Sequence, residues 1–317
     1  MLALRDHTWT RVVLPVAVFI CIIVFLAHRG RFSLHGDKHT REVFVFEYGD
    51  NCEALVNSGN WTSKPPLSCP GTPGLATCGH GPRDSWQWSA VALQCGASRQ
   101  DATALRALLA HRWFVVAGDS IGRFFFAALL RLLSDNPAQQ IVFGHRDFEY
   151  VLPGSIKATF LWAPYAPNLT AHFKAWDDGL AAPDAFVLSA GLWHMLHISD
   201  VQDFAQELVQ LKLSATSFLA KAVQAPPVSY CSISEVYPPK LKTEDKREHL
   251  TPARVDAYNL AIANNDVLYP SGPFHMLDIH RLTQGCGPDC THDGLHYSNA
   301  TYDTAVQVWA NTLRSLL

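Results

Sequence analysis

The chain has no surplus of positive charge: 25 Lys and Arg face 28 Asp and Glu among 317 residues, a formal net charge of −3. Phosphate backbones are held by basic patches or stripes, so nothing in the charge balance points to nucleic acid as a partner. Internal repeats and long low-complexity runs are also missing, which removes solenoid arrays and extended linkers. The single long apolar run, Val12 to Ala27 with Pro15 inside it, is followed by no small-x-small cleavage site but by His28-Arg29-Gly30-Arg31. That flank argues against a removed signal peptide and for a retained anchor.

Sixteen residues of helix rise about 24 Å, a little short of a typical hydrocarbon core of about 30 Å and suited to the thinner membranes of the early secretory pathway. Arg residues flank the run on both sides, so charge asymmetry leaves the orientation open. Three N-glycosylation sequons lie downstream, Asn60-Trp61-Thr62, Asn168-Leu169-Thr170 and Asn299-Ala300-Thr301, as do seven of the eight cysteines. Both features belong to an oxidising lumen. The expected layout is a cytosolic tail (1–11), a membrane anchor (12–28), a stem (29–47) and a luminal domain (48–317). The luminal body is long enough for one core that buries roughly 75% of its unfolded surface.

Four cysteines, Cys52, Cys69, Cys78 and Cys95, cluster in Pro-, Gly- and Trp-rich sequence over residues 48–95. They predict a disulfide-stapled segment whose connectivity spacing does not give. With Cys231, Cys286 and Cys290 the luminal count is seven, so one thiol is left over within a chain. The segment ends in Trp86-Gln87-Trp88, whose two Trp face one side of a strand. They form either a sugar-stacking platform or a hydrophobic lid on the sheet.

The centre of the sequence is Trp113-Phe114-Val115-Val116-Ala117-Gly118-Asp119-Ser120 and the apolar run from Ile121 to Leu133. The first part has the composition of a buried strand. The last part reads as a buried helix, with Arg123 and Arg131 its only charges. Strand, tight turn and helix in that order hold one small side chain at the carboxyl edge of a sheet. A Ser there either caps the helix or acts as a nucleophile beside backbone N–H groups that can hold an oxyanion. Near the other end, Asp289-Cys290-Thr291-His292-Asp293-Gly294-Leu295-His296 contains two overlapping Asp-x-x-His units ahead of a final helix. Ser early with Asp-x-x-His late is one chain order for a Ser–His–Asp constellation.

Elsewhere, strands are predicted at Gln140–Phe143, Ile156–Trp162, Ala185–Ser189, Val228–Val236 and Phe274–Asp278. Helices are predicted at 202–224, 252–264 and 301–316, and a further one from a capping box at Ser98–Asp101 through about Ala110. Alternating strands and helices give a mainly parallel, three-layer α/β sheet with its ligands beyond the carboxyl ends of the strands.

Five ordered blocks resemble one family. Gly118-Asp119-Ser120-Ile121-Gly122-Arg123 is similar to the Gly-Asp-Ser-x-x-Arg block of the PC-esterase group of GDSL/SGNH-like enzymes, above all the plant trichome birefringence-like polysaccharide O-acetyltransferases. Cys52 to Cys95 with Trp86 and Trp88 resembles that family's cysteine-rich leading segment. Phe160-Leu161-Trp162-Ala163-Pro164-Tyr165 resembles its aromatic-Trp-x-Pro-Phe block, and Gly191-Leu192-Trp193-His194 its Gly-x-Trp-Trp block. Asp289-Cys290-Thr291-His292 resembles its Asp-Cys-x-His motif. The family's Trp-Cys after that His is absent here. Asp293 to Tyr302 instead looks like the usual SGNH ending and is similar to sialate O-acetyltransferases.

The resemblance implies an SGNH-like luminal domain in the Golgi, a single-pass type II membrane protein that moves an acetyl group to a glycan through an acetyl-serine. The donor is acetyl-CoA or another acetyl carrier, used as co-substrate with no bound cofactor and no metal. Ser120, His296 and Asp293 are expected as nucleophile, base and orienting carboxylate, with Asp289 and His292 as the other pair. Gly118, Asp119, Arg123, Gly191 and Trp193 are expected at the oxyanion and substrate site, the N–H groups of Ser120 and Gly191 being the donors. Three other readings are a hydrolytic acetylesterase, a non-catalytic glycan binder using Trp86, Trp88, Trp162 and Trp193, and a zinc site from Cys286, Cys290, His292 and His296.

Overall fold

The computed structural model describes residues 44–46, 48, 50–62, 86–134, 144–179 and 181–317. The predicted anchor at 12–28, the strand at Gln140–Phe143, and Cys69 and Cys78 lie outside the described residues. Among the described residues no helix is long and apolar enough to cross a membrane. The described residues belong to one compact unit spanning Phe44–Leu317.

In chain order the elements are α1 (Cys52–Leu55), β1 (Gly59–Trp61), β2 (Trp86–Trp88), α2 (Ala90–Gln94), α3 (Ala102–Leu109), β3 (Trp113–Gly118), α4 (Ser120–Leu133), β4 (Phe148–Leu152), β5 (Ile156–Trp162), α5 (Ala166–Asp177), β6 (Ala185–Ser189), α6 (Leu192–His197), α7 (Val201–Lys221), β7 (Val228–Cys231), α8 (Glu244–His249), α9 (Pro252–Asn264), β8 (His275–Leu277), α10 (Ile279–Cys286) and α11 (Asn299–Leu316). Six strands form one sheet in the order β4-β5-β3-β6-β7-β8. Only β4 runs antiparallel to its neighbour; β5, β3, β6, β7 and β8 are parallel. The mainly parallel three-layer α/β fold expected from the sequence is therefore present.

Side-chain alternation along the strands decides which helix group covers which face. Phe114 on β3 meets Phe126 of α4 and Trp309 of α11, each with ring centroids 6.3 Å apart. Phe186 pairs with the next residue, Val115, and so points the other way. It meets Phe173 and Trp176 of α5 at 5.4 and 5.0 Å and Phe218 of α7 at 5.9 Å. Each of these phenylalanines is buried, and truncating one to Ala costs about 3–5 kcal/mol. The central strands hold apolar side chains on both faces because both faces are covered.

Several expectations need correcting. The helix after Ser98 is capped by Asp101, whose side chain accepts from Ala104 N–H; Ser98 is instead tied to α11, its N–H on Asn311 Oδ1 at 3.0 Å. The strand expected over Val228–Val236 stops at Cys231. Beyond it the backbone is satisfied by side chains: Ile233 N–H donates to Asn259 Oδ1, Asn259 Nδ2 donates to Ile233 C=O, and Glu235 N–H donates to Thr283 Oγ1. Strand β4 and helix α5 are not predicted from the sequence. β4 alternates half-polar residues on an edge, with Glu149 3.2 Å from Lys157. α5 begins among Pro164 and Pro167, which read as loop; Asn168 Oδ1 accepts from Tyr165 N–H to close its first turn.

The cysteine-rich segment pairs Cys52 with Cys95. Trp86 is buried against Trp61 with ring centroids 5.4 Å apart, and Trp88 Nε1 donates to Val56 C=O. These two Trp pack within the leading segment and are not an open platform. Cys231 is a buried free thiol, held well above the ordinary thiol pKa by burial.

Candidate active site

Strand β3 ends at Gly118 because the chain must turn against Ser189. A Cβ at Gly118 would lie 2.8 Å from the Ser189 Cβ, closer than real contacts allow. Asp119 then caps α4: its Oδ1 accepts from Ile121 N–H at 3.0 Å and from Ser189 Oγ–H at 2.8 Å. Ser120 is the first helical residue, so its N–H has no acceptor within the helix. Ser120 is therefore the residue behind the cap; the capping role falls to Asp119.

The second part of the site is the loop between α10 and α11. The Cys286–Cys290 disulfide closes its base. Lys240 Nζ donates to Pro288 C=O at 2.6 Å and to Thr291 C=O at 2.9 Å. Gly294 has φ +80°, and a Cβ there would collide with Tyr237 C=O, so this turn requires glycine. Asp293 Oδ1 accepts from Leu295 N–H at 3.0 Å and His296 N–H at 2.8 Å. This local turn aims carboxylate and imidazole at one another.

The two parts meet at His296. Its Nε2 lies 2.8 Å from Ser120 Oγ and its Nδ1 lies 2.7 Å from Asp293 Oδ2. Chemically, an imidazole whose Nδ1–H donates to a carboxylate presents an acceptor lone pair at Nε2, here at the Ser120 hydroxyl. Burial alone would raise the Asp293 pKa, but the His296 ring and the loop N–H groups outweigh it and hold the carboxyl well below the usual range. Phe124 lies under the imidazole at 4.9 Å and stacks on Tyr302 at 5.3 Å. Sequence reasoning missed this aromatic support; its signal is the spacing of Phe124 one turn after Ser120.

The remaining expected residues divide. Asp289 and His292 are exposed, and the imidazole that meets Ser120 Oγ is that of His296, not His292. Asp119 is buried and faces Ser189, so it positions the turn and does not line a substrate surface. Burial pushes its pKa up to about 6. Arg123 donates to Gly144 C=O at 2.7 Å, with its guanidinium 5.5 Å from the Phe124 ring. Gly191, with φ +133°, opens α6 beside the carboxyl end of β6; a Cβ there would strike Ile233. Trp193 is half-buried among other rings. The zinc arrangement is overturned, because Cys286 and Cys290 are bonded to each other and offer no thiolate. His194, Asp203 and Glu207 do bring ligand-type atoms within 4.8 Å of one another. Both ring nitrogens of His194 are already engaged, by Tyr258 Oη at 3.0 Å and Asp203 Oδ2 at 2.9 Å.

A mainly parallel sheet with Ser at a strand–helix crossover and Asp-x-x-His ahead of the last helix defines a GDSL/SGNH-like α/β protein. The chain is 30% identical over 296 residues to Protein ALTERED XYLOGLUCAN 9 of Arabidopsis thaliana, an alignment covering 86% of this chain and 80% of that protein. It belongs to the trichome birefringence-like family. Among solved structures it is similar to a peptidoglycan O-acetylesterase, with 12% identity, TM-score 0.41, and 68% and 95% of the two chains covered. It is also similar to a member of the lipolytic protein G-D-S-L family from Veillonella parvula DSM 2008, with 12% identity, TM-score 0.37, and 62% and 94% covered. No family model matches the chain.

Proposed function

We propose that the chain transfers an acetyl group to a hydroxyl of a wall polysaccharide through an acetyl-serine intermediate. Family membership supports acetyl transfer or ester cleavage as the reaction class, and the relative's name points to xyloglucan as the polymer to try first. The observation that carries the mechanism is the unbroken hydrogen-bonded line from Ser120 Oγ through His296 to Asp293, at 2.8 and 2.7 Å.

In this reading His296 Nε2 takes the Ser120 proton as Oγ attacks the acetyl carbonyl. The carbonyl oxygen becomes an oxyanion held by the N–H groups of Ser120 and Gly191, worth about 10²–10³-fold in rate per donor. Collapse breaks the bond to the carrier, and His296 returns its proton to that leaving group. A glycan hydroxyl then attacks the acetyl-serine, His296 accepts its proton, and Ser120 recovers it. Asp293 stays ionised throughout and stabilises the imidazolium. The acetyl donor is a co-substrate, acetyl-CoA or another carrier.

Hydrolysis is the second reading, and one observation favours it: the His296 and Asp293 side chains are 25% and 31% exposed, so water reaches the base. The proposed setting is the Golgi lumen, with residues 12–28 as a type II anchor. Two disulfides and exposed Asn60, Asn168 and Asn299 support an oxidising, glycosylating compartment.

The test is incubation of the purified chain with acetyl-labelled acetyl-CoA and xyloglucan, followed by mapping of label. Label on both Ser120 and the polymer is expected, and none in Ser120→Ala. Free acetate at a rate unchanged by polymer would assign the esterase. Glycan binding without turnover would assign a non-catalytic binder.

A further inference from the structure

Beside Ser120 the sheet edge carries a group of rings that the chemistry above does not use. The register places them. Gly118, two residues before Ser120, pairs with Trp162 on one side and with Ser189 on the other. Neighbouring strands are about 4.8 Å apart, so Trp162 flanks the nucleophile turn directly. Trp193 follows Ser189 by four residues, on the first turn of α6. The two indoles meet at 5.4 Å with an interplanar angle of 84°. His145 stacks flat on Trp162 at 4.2 Å and 13°, and stands 5.2 Å from Trp193 at 85°. Tyr165 and His197 complete the rim, 6.2 and 5.0 Å from Trp193.

Three features separate this group from ordinary core. First, it lies at the carboxyl edge of the sheet, outside the layers that bury Phe114 and Phe186. Second, its members keep contact with solvent: His145 and His197 are exposed and Trp162, Trp193 and Tyr165 are half-buried. Third, it is braced from behind. Arg123 donates to Gly144 C=O, next to His145, and Trp162 N–H donates to Asp147 Oδ1 at 2.7 Å. The stacked His145–Trp162 pair stands at right angles to Trp193.

We propose that this corner is the acceptor subsite, and that it holds one neutral pyranose ring of the glycan beside Ser120. The inference rests on the acetyl-transfer reading for its direction, and it adds which ring surface selects the acceptor. An indole face matches the C–H face of a sugar ring, which is apolar, while the edge hydroxyls need hydrogen-bonding partners. The stacked His145–Trp162 pair supplies one wall and Trp193 the other, with imidazole nitrogens at the rim for the hydroxyls. Burial and the nearby Arg123 charge both lower the His145 pKa, which favours the neutral ring. Arg123 is spent on bracing Gly144 C=O, and the ring walls themselves carry no fixed charge, so stacking on the C–H face, not charge pairing, is what they offer a sugar.

The test titrates Ser120→Ala with a neutral β-1,4-glucan hexasaccharide and with an oligogalacturonide of equal length, read by tryptophan fluorescence and calorimetry. Saturable binding of the neutral oligosaccharide, at least tenfold tighter than the acidic one, is expected. Adding Trp162→Ala or Trp193→Ala should weaken it at least tenfold; in the Ser120 parent, the same changes should raise acceptor KM at least tenfold with kcat within threefold. His145→Ala, at an exposed position, guards against a folding artefact and should raise KM threefold to tenfold with an unchanged melting temperature. Unchanged binding and KM in all three variants, or no neutral binding to Ser120→Ala, overturns the subsite. Ring-dependent binding with no acetyl turnover in the parent would remove the acetyl-transfer reading and leave the subsite standing; turnover with a KM indifferent to the rings would do the reverse.

Discussion

Ser120 sits between a buried parallel strand and a helix of 14 residues, whereas Asp293 and His296 ride on a loop between α10 and the final helix. Ser120 is 7% exposed and inherits its place from regular structure on both sides. The His296 and Asp293 side chains are 25% and 31% exposed and are held by a short disulfide, a lysine clamp, a left-handed glycine and an aspartate turn. One side is fixed by burial, the other by local bonds. Precision at a site of this kind comes from either means, provided every backbone group is accounted for.

The largest effect that tests the comparison is chemical. Ser120→Ala and His296→Ala should each lower kcat by at least about 10³-fold, with melting temperatures close to the parent. His292→Ala, on the exposed neighbouring unit, should stay within threefold. A large loss only in His292→Ala, measured in the same acetyl-transfer assay, would move the base to the other Asp-x-x-His pair.

The second effect is on stability and separates the two staples. Cys52–Cys95 closes 43 residues and Cys286–Cys290 closes 4. Loop-closure entropy predicts a loss of about 4 kcal/mol for the paired Ser variant of the first and about 2 kcal/mol for the second. Activity should follow the opposite order: removing the Cys286–Cys290 bridge should lower kcat in the still-folded protein, because that bridge anchors the loop that carries His296. Denaturant unfolding and kinetics on both double variants check this. Equal kcat in the two would mean that the lysine clamp alone sets the loop.

The difference between the regions also explains what could be read from sequence. The strand and helix around Ser120 were legible because burial on both faces writes a continuous apolar run, Trp113 to Ala117, broken at one turn. Ile156–Trp162 and Ala185–Ser189 were legible for the same reason. On the late loop the residues alone offered two overlapping Asp-x-x-His units, and the resemblance to the usual SGNH ending, with Gly294 allowing a tight turn, favoured Asp293 and His296. What places His296 and not His292 against Ser120 is tertiary: Lys240 reaching across to Pro288 and Thr291, and Phe124 under the ring. Such contacts join residues far apart and leave no periodicity. Helix α5 was hidden by its prolines, and β4 by its half-polar edge pattern. The aromatic corner was visible only as scattered Trp, since the register of β3 with β5 and β6 is what gathers them.

The smallest effect comes from the two aspartates, one in each region, which should shift stability with pH in opposite directions. Asp119 is buried with its folded pKa raised from 3.8 to about 6. The folded state then binds a proton that the unfolded state has released, so stability declines as pH rises from about 4 to about 6 and levels off above. Keeping that carboxylate charged at neutral pH costs on the order of 2–3 kcal/mol. Asp293 is the reverse case: its pKa is depressed, so its contribution is present above the ordinary carboxylate range and is lost as pH falls below about 4. Asp119→Asn keeps an acceptor for Ile121 N–H and removes the charge; an amide oxygen accepts more weakly than a carboxylate, which lowers the whole curve by an amount that does not change with pH. Its unfolding free energy, measured in urea at pH 4, 5, 6 and 7, should therefore gain on the parent across that interval by about 2 kcal/mol. Asp293→Asn should lose ground at pH 6 and 7 and draw level with the parent only in acid. Parallel pH curves for Asp119→Asn and the parent would mean that the Ser189 and Ile121 hydrogen bonds already hold Asp119 at an ordinary pKa. Burial would then not be what distinguishes the Ser120 side from the His296 side.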